Sequence, residues 1–178
     1  VLEALTPWTQ GRRLLLDIAP SATTTVLLRR LGTEHYLRMD LDPAADARTV
    51  DLQGSVTAIP LASGSVDALV CYHVLEHVPD DAAAMAELAR VLAPDGFGLV
   101  QVPWRPGTPT DEDPSAPVPE RVRRFGQADH VRYYGADFDD RLAAGGLSFT
   151  RFTPYDVLGP ELCALFRLIP SETVWAVR

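Results

Sequence analysis

The residues that decide the fold run from Val66 to Pro103. They begin VDALVCYHVLEHVPD over residues 66–80 and end RVLAPDGFGLVQVP over residues 90–103. Ala68 to Tyr72 is a short and mostly apolar run, which is typical of a strand buried on both faces of a parallel sheet. Phe97 to Val102 is a second run of the same kind. Two buried strands within forty residues predict neighbouring strands of one parallel sheet.

A helix is predicted between these two strands. Asp80 and Asp81 stand where a helix N-terminus favours carboxylates. Apolar residues then recur at helical spacing, and Pro94-Asp95-Gly96 ends the helix. Strand, helix and strand in this order form a βαβ unit, whose crossover is right-handed in nearly all proteins.

This unit resembles a known superfamily. The segments HVLEHV over residues 73–78 and ELARVLAPDG over 87–96 are similar to the fourth-strand and fifth-strand region of class I S-adenosylmethionine-dependent methyltransferases, in the small-molecule, type 11-like branch. Asp95 departs from that pattern, where glycine is usual. The resemblance implies a Rossmann-like three-layer α/β/α sandwich. Its seven-stranded, mostly parallel sheet has the order 3-2-1-4-5-7-6, with strand seven antiparallel.

The length and net charge of the chain limit the classes of protein to which it can belong. A chain of 178 residues predicts a single domain over residues 1–178. The net charge of −8 argues against a general nucleic-acid or anionic-membrane surface, because phosphate binding needs clustered cations. Arg121, Arg123 and Arg124 form only a small basic cluster. No membrane span or secretory signal is predicted. Cys71 and Cys163 are expected to be reduced core thiols, so a cytoplasmic protein is expected.

The rest of the chain alternates strands and helices. Further strands are predicted at residues 12–18, 35–39, 48–52, 147–153 and 173–177. Helices are predicted at residues 1–10, 136–144 and 160–168, and between Ser21 and Gly32. Residues 104–120 hold five of the 15 prolines, a composition that excludes regular helix and central strand. Residues 104–134 are therefore predicted to form a lid or acceptor loop, called the lid segment below.

A ligand crevice is predicted at the carboxyl ends of the parallel strands. This places Asp17, Asp40, Ser55 and the pair Tyr72-His73 around one site. The resemblance implies that this site binds S-adenosyl-L-methionine. The loop after strand one would hold the methionine part of the cofactor, although here it carries no glycine; its residues are Asp17, Ile18, Ala19, Pro20 and Ser21.

The resemblance also implies contacts to the nucleoside. Asp40, with Leu41 beside it, would bind both ribose hydroxyls through charge-assisted hydrogen bonds. Ser55 would accept weakly from the adenine amino group, and the Val56 amide would serve the ring nitrogen. A loop without glycine also fits an alternative, in which cofactor binding has been lost and the chain is a non-catalytic partner or regulatory protein.

Histidines supply the candidate chemistry. Methyl transfer to a hydroxyl needs alignment and removal of a proton, which imidazole can perform at neutral pH. His73, His77 and His130 fall near the expected acceptor face, with His77 or His130 as general base. His35, at a strand start, is interpreted as structural.

A divalent metal is a further hypothesis. Small-RNA 2′-O-methyltransferases and ubiquinone-pathway O-methyltransferases carry E-x-x-E-H at this place as metal ligands. By similarity, His73, Glu76, His77 and His130 would form the site, with His73 in place of the first glutamate. Three imidazoles and one carboxylate favour a transition metal over Mg²⁺. The alternative is that Glu76 caps local backbone and the histidines pack or act alone.

The predicted function is methyl transfer to a small-molecule acceptor, at a hydroxyl oxygen. The candidate acceptor contacts are Trp104, Arg105, Tyr133 and Tyr134; the two tyrosines are also compatible with simple packing of the lid segment. Besides the non-catalytic alternative, cofactor-bound chemistry other than methyl transfer stays open, since a fold does not determine a reaction. An apolar first helix at residues 1–5 is consistent with a homodimer.

Overall fold

The computed structural model describes residues 13–42, 50–169 and 171–178. Its strands are β1 (Leu14–Ile18), β2 (His35–Asp40), β3 (Leu52–Gln53), β4 (Val66–Tyr72), β5 (Leu92–Gln101), β6 (Asp111–Glu112), β7 (Arg132–Tyr133), β8 (Phe149–Phe152) and β9 (Val174–Val177). Its α-helices are α1 (Ala22–Leu28), α2 (Asp81–Val91), α3 (Val118–Phe125), α4 (Phe138–Ala144) and α5 (Pro154–Phe166). Short 3-10 turns lie at Arg29–Leu31 and Leu75–His77.

Seven of these strands form one sheet in the order β3-β2-β1-β4-β5-β9-β8. The pairs from β3 to β5 are parallel, and β9 is antiparallel to both β5 and β8. Because β8 and β9 are the sixth and seventh strands of this sheet along the chain, the order is the predicted 3-2-1-4-5-7-6 with an antiparallel seventh strand. The predicted fold class is confirmed. The short strands β6 and β7 pair separately.

The sheet is buried on both faces, as the composition of β4 predicts. On one face Leu69 and Cys71 pack with Met85 and Leu88 of α2. On the other face Ala68 and Val70 pack in a second cluster that includes Leu28 and Leu31. Each fully buried aliphatic side chain contributes about 1.5–3 kcal/mol to the free energy of unfolding. Because β1 pairs in parallel with β2 and β4, the carboxyl ends of these three strands lie at the same edge of the sheet.

Local signals in the sequence set the helix ends near the sheet. Ser21 caps α1, where its hydroxyl accepts from the Thr24 amide in a capping box. Gly32 ends the following turn with φ of 73°, a conformation that glycine adopts without steric cost. Asp80 caps α2 by accepting from the Ala83 amide at 3.0 Å.

Several predicted boundaries differ from the structure. β5 begins at Leu92 rather than Phe97, because the chain pairs with Val66 directly after α2. α5 begins at Pro154 rather than Pro160, with a kink at Gly159 (φ 73°). The third strand is Leu52–Gln53 rather than residues 48–52; positions 48 and 49 of that predicted strand, and the whole predicted helix at 1–10, lie outside the described residues.

The lid segment is not an irregular loop. It contains β6, α3 and β7. The helix α3 can form in a proline-rich segment because Pro117 precedes its first residue and Pro119 lies in its first turn, where a missing amide is tolerated. Arg132, 1% exposed, ties it to the body by donating to the carbonyls of Leu75, Val78 and Pro79. The segment is therefore a packed support for the loop after β4.

The small basic cluster in α3 is engaged within the lid segment. Arg121 donates to the carbonyls of Pro114 and Ala116. Arg123 pairs with Glu120, and Arg124 pairs with Asp111 and Asp113. Internal carboxylates and carbonyls thus take up these guanidinium groups. Among the described residues, no helix is long and apolar enough to cross a bilayer.

Candidate active site

A cavity of about 800 Å³ lies at the carboxyl ends of β1, β2 and β4. This is the crevice position expected where strand order reverses in an open α/β sheet. Its walls come from five places: the β1–α1 loop with the start of α1, the end of β2, the turn after β3, the end of β4 with the loop that follows it, and Asp129 in the lid segment. The lining residues of the first three are Asp17, Ile18, Ala19, Ser21, Thr24, Asp40, Leu41, Gly54, Ser55, Val56 and Thr57.

The cavity brings together nearly all the positions predicted to bind a cofactor. Of the eleven, only Pro20 is not part of the lining; this residue is buried. Sequence reasoning missed Thr24, Gly54 and Thr57, which lie beside predicted residues and could have been found from that adjacency. The cofactor assignments of the other ten residues stay predictions, now gathered on one surface.

The loop after β1 turns sharply without glycine. Ala19 adopts a φ of 53°, a left-handed conformation that costs an L-residue about 1–2 kcal/mol. Its amide donates to the Met39 carbonyl at 2.8 Å, which holds the turn against β2. Backbone strain of this kind persists where the surroundings over-determine it, often at ligand sites. The Ala19 conformation thus performs the turn that glycine performs elsewhere.

We expect Ala19→Gly to raise the free energy of unfolding by about 0.5–1 kcal/mol, because relief of the strained φ outweighs the added entropy of the unfolded chain. Urea denaturation measures this change. Ala22→Gly, in the first turn of α1 with ordinary helical geometry, is the matched control and should lower stability by about 0.5–1 kcal/mol. Loss of stability in both variants would show that Ala19 is not strained.

Asp17 forms part of the cavity floor although it is only 2% exposed. Its carboxylate accepts a hydrogen bond from the Tyr36 hydroxyl at 2.5 Å. Burial raises the pKa of Asp17 to about 6, while the Tyr36 hydrogen bond and the Arg38 charge oppose that rise. The carboxylate is therefore mostly ionised at neutral pH.

Asp40 and Ser55 lie on the opposite side of the cavity. Asp40 ends β2, and its backbone carbonyl accepts from the Gly54 amide at 3.0 Å. Ser55 and Thr57 share a hydroxyl hydrogen bond of 2.8 Å. The Val56 residue between them is buried. This geometry presents a carboxylate, two hydroxyls and a turn backbone to one edge of the cavity.

His73 lies at the end of β4 on the cavity wall. Its φ is 54°, the second strained non-glycine residue on the same cavity. The Nδ1 atom lies 3.1 Å from Glu76 Oε1. This hydrogen bond raises the pKa of His73 above its ordinary value of 6.5.

His77 is the second histidine on the wall. Its Nδ1 atom lies 3.2 Å from Asp129 Oδ2, a residue that also lines the cavity. A carboxylate on Nδ1 orients an imidazole and leaves Nε2 to face another group. His77 therefore has the geometry of a histidine–carboxylate pair, and Asp129 is a functional candidate that the sequence analysis did not single out.

Two polar atoms are buried behind His77. Glu76 is 0% exposed and His130 is 3% exposed. Glu76 Oε2 and His130 Nε2 have no hydrogen-bond partner within the part of the chain that the structure describes. Glu76, His77 and His130 each place one possible metal-ligating atom within 4.8 Å of the other two. Uncompensated burial of such atoms is costly, which makes this trio a candidate ligand set.

The structure changes the interpretation of two predicted groups. His130 is not part of the cavity lining: its Nδ1 pairs with the Phe125 carbonyl and its ring packs edge-on against His77, centroids 4.6 Å apart. The base role of His130 stays a prediction, and His77 is the one of these two histidines that lines the cavity. His73 is not in the trio of Glu76, His77 and His130, so the predicted four-residue metal set reduces to three.

None of the four predicted acceptor contacts lines the cavity. Tyr134 is fully buried, and its hydroxyl donates to Asp81 at 2.9 Å; this geometry favours the alternative of packing, and the acceptor contact stays a prediction. Trp104 packs edge-on against Trp175. Arg105 stacks on Tyr133 at 3.8 Å. These residues build the lid segment beside the cavity.

The lining is acidic. It includes the carboxylates of Asp17, Asp40, Asp80 and Asp129, and no arginine or lysine among the described residues. Carboxylates with low-dielectric walls attract cations and repel phosphates. The cavity is therefore suited to a ligand that carries positive charge, and unsuited to a nucleotide phosphate.

Part of the chain is similar in sequence to known proteins. Residues 16–100 match the family model described as a methyltransferase domain. A Mycobacterium sp. (strain JLS) protein named "Uncharacterized methyltransferase" is 35% identical over 105 residues, covering 55% of this chain and 42% of that protein. A Mycolicibacterium smegmatis protein named "Probable S-adenosylmethionine-dependent methyltransferase" is 40% identical over 70 residues, covering 36% and 27%.

Solved structures extend the likeness over the whole chain. An S-adenosylmethionine-dependent methyltransferase from Mesorhizobium loti superimposes with a TM-score of 0.64 at 16% identity, covering 99% of this chain and 94% of that chain. At that identity the superposition is evidence of the fold alone. Residues 16–100 are thus similar to a methyltransferase domain, and the whole chain has the fold of the class I S-adenosylmethionine-dependent methyltransferases. It spans less than half the length of the curated relatives it matches.

Proposed function

We propose that this chain is an S-adenosylmethionine-dependent methyltransferase that acts on a small-molecule acceptor, at a hydroxyl oxygen. The observation that carries the proposal is the cavity, whose lining joins ten predicted cofactor positions, His73 among them, to a second histidine, His77. An acidic wall suits a cofactor with a sulfonium and an ammonium group, and Asp40 stands at the strand end where ribose hydroxyls would bind. The cofactor, when bound, supplies an electrophilic methyl group.

The chain's own residues would align the acceptor and move one proton. His77, held by Asp129, is the proposed general base because its ring lines the cavity while His130 lies behind it. His77 Nε2 would take the hydroxyl proton while the acceptor oxygen formed the new C–O bond, and the electron pair of the S–CH₃ bond would stay on sulfur. General-base catalysis of this kind contributes about 10²–10⁴-fold to the rate.

Calorimetric titration with S-adenosylhomocysteine tests the proposal. We expect binding in about the micromolar range, roughly −8 kcal/mol. A folded protein that does not bind the ligand at millimolar concentration would contradict the enzyme proposal. The non-catalytic partner hypothesis would then explain the glycine-free loop better.

A metal at Glu76, His77 and His130 is a second candidate, favoured by the two buried atoms without partners. Two imidazoles and one carboxylate match the ligand set of catalytic zinc sites, which keep an open position. A metal bound there would act as a Lewis acid on the acceptor oxygen. His77 would then serve as a ligand rather than as the base.

If this second candidate is correct, Zn²⁺ added to metal-stripped protein should raise the melting temperature by about 5–10 °C at a hundredfold excess over its dissociation constant. Differential scanning calorimetry measures the shift. Glu76→Gln should abolish it, whereas His35→Ala, which removes an exposed histidine, should retain it. An equal shift in the wild type and Glu76→Gln would show that zinc binds elsewhere.

A further inference from the structure

Tyr36 forms the shortest polar contact at the cavity floor. Its hydroxyl donates to Asp17 Oδ2 at 2.5 Å and lies 3.3 Å from Thr25 Oγ1. Because a phenol has one proton, the shorter and charge-assisted bond to Asp17 takes the larger share of it. Tyr36 is not part of the cavity lining, so it acts on a ligand only through Asp17.

The sheet register explains the contact. β1 and β2 are parallel, with Leu15 beside Tyr36 and Asp17 beside Arg38. Side chains two residues apart lie on the same face of a strand, so Tyr36 and Arg38 flank Asp17 on the α1 side of the sheet. The Tyr36 hydrogen bond thereby holds the carboxylate of Asp17, a cavity-lining residue, against β2.

The surroundings of Asp17 would otherwise favour the neutral acid. Its charge interacts with groups on both neighbouring strands: Tyr36 and Arg38 on β2, and Cys71 and Tyr72 on β4. Burial disfavours the carboxylate, and the two β2 side chains favour it. Cys71 and Tyr72 have pKa values raised by burial and so stay neutral. Tyr36 is thus the nearest group that keeps Asp17 ionised.

We propose that Tyr36 is a positioning residue, which orients the Asp17 carboxylate to receive the positively charged amino-acid end of the cofactor. This inference rests on the proposed cofactor and adds a residue outside the cavity to its binding. The attraction between an ammonium group and a buried carboxylate is much stronger than the same attraction in water.

Two opposite pH dependences follow. Since the folded-state pKa of Asp17 is about 6, above its ordinary 3.8, this group stabilises the ligand-free fold as pH falls from 6 toward 4. Binding of a cationic ligand is instead favoured as pH rises through 6, when the carboxylate forms. Without the Tyr36 hydrogen bond, the binding midpoint should move upward.

The test compares two probes between about pH 5.5 and 8.5. S-adenosylhomocysteine carries the ammonium group, and 5′-deoxy-5′-methylthioadenosine lacks the amino-acid end. In Tyr36→Phe, we expect the pH midpoint for S-adenosylhomocysteine binding to rise by about one unit, with affinity about fivefold weaker near pH 6, about twofold weaker near pH 7 and restored near pH 8.5. Binding of the methylthio nucleoside should not change.

Two further variants keep the test sharp. Thr25→Val removes the weaker partner of Tyr36 and should leave the midpoint in place. Asp17→Asn, nearly isosteric, should weaken S-adenosylhomocysteine binding and remove its dependence on pH. A Tyr36→Phe protein with the wild-type pH profile, or with equal losses for both probes, overturns the inference. Wild-type protein that binds neither probe contradicts the proposed cofactor itself.

Discussion

An Asp40→Ala variant is expected to bind S-adenosylhomocysteine about 100-fold more weakly than the wild type, because a carboxylate that accepts from two ribose hydroxyls makes two charge-assisted hydrogen bonds. Asp40 ends β2 and lines the cavity, and its backbone carbonyl is held by the Gly54 amide. Isothermal titration calorimetry measures the loss directly, without knowledge of the acceptor.

The control for this variant is Asp42→Ala, two residues away and outside the cavity lining. It removes the same charge from the same end of the sheet, so it separates a ribose contact from a general electrostatic effect. Equal losses in both variants would indicate only long-range attraction. Unchanged affinity in Asp40→Ala would mean that the cavity does not bind the nucleoside in the proposed orientation.

Replacing His77 by alanine should lower turnover by about 10²–10⁴-fold while the dissociation constant of S-adenosylhomocysteine changes by less than about threefold. The reason is that a base acts only on the acceptor proton. Transfer of labelled methyl to an acceptor found by screening small hydroxylated molecules measures turnover. His35→Ala, an exposed histidine remote from the cavity lining, should leave both quantities unchanged.

Comparison with His130→Ala distinguishes a base from a metal site. If His77 acts alone as base, His130→Ala should retain turnover within about tenfold, since the contact of His130 with His77 is ring packing. If Glu76, His77 and His130 hold a metal, the three alanine variants should lose activity equally. Parallel loss of turnover and cofactor affinity in His77→Ala would count against both roles.

The sequence pattern from Val66 to Pro103 was sufficient to predict the βαβ unit, and the family resemblance carried by the same residues implied the order of the whole sheet. Short apolar runs must be buried, and parallel strands need a helical crossover, so few topologies remain. The caps at Ser21 and Asp80 were also predictable, because capping depends on side chains within three residues. The lid segment was predicted less well: its proline content was taken to exclude regular helix, whereas Pro117 and Pro119 lie at the start of α3, where a missing amide is tolerated.

Contacts between distant residues account for most of what the sequence did not reveal about the site. Asp17 and Tyr36 are 19 residues apart, and only the register of β1 on β2 joins them. His77 and Asp129 meet because Arg132 ties the lid segment to the loop after β4. A residue list contains candidates for such contacts, but not the register that selects among them.

The sequence by itself determined the βαβ unit and the position of the cavity, because these follow from short-range hydrophobic pattern and from the geometry of parallel strand ends, and its family resemblance supplied the fold class and the candidate lining residues. Only the tertiary structure decided which side chains reach the cavity. His130 and Tyr134 carry reactive groups in sequence, yet packing buries both. Burial depends on how the layers pack and cannot be read from a single residue. The candidate chemistry therefore rests on His77, Asp129 and the Tyr36–Asp17 pair.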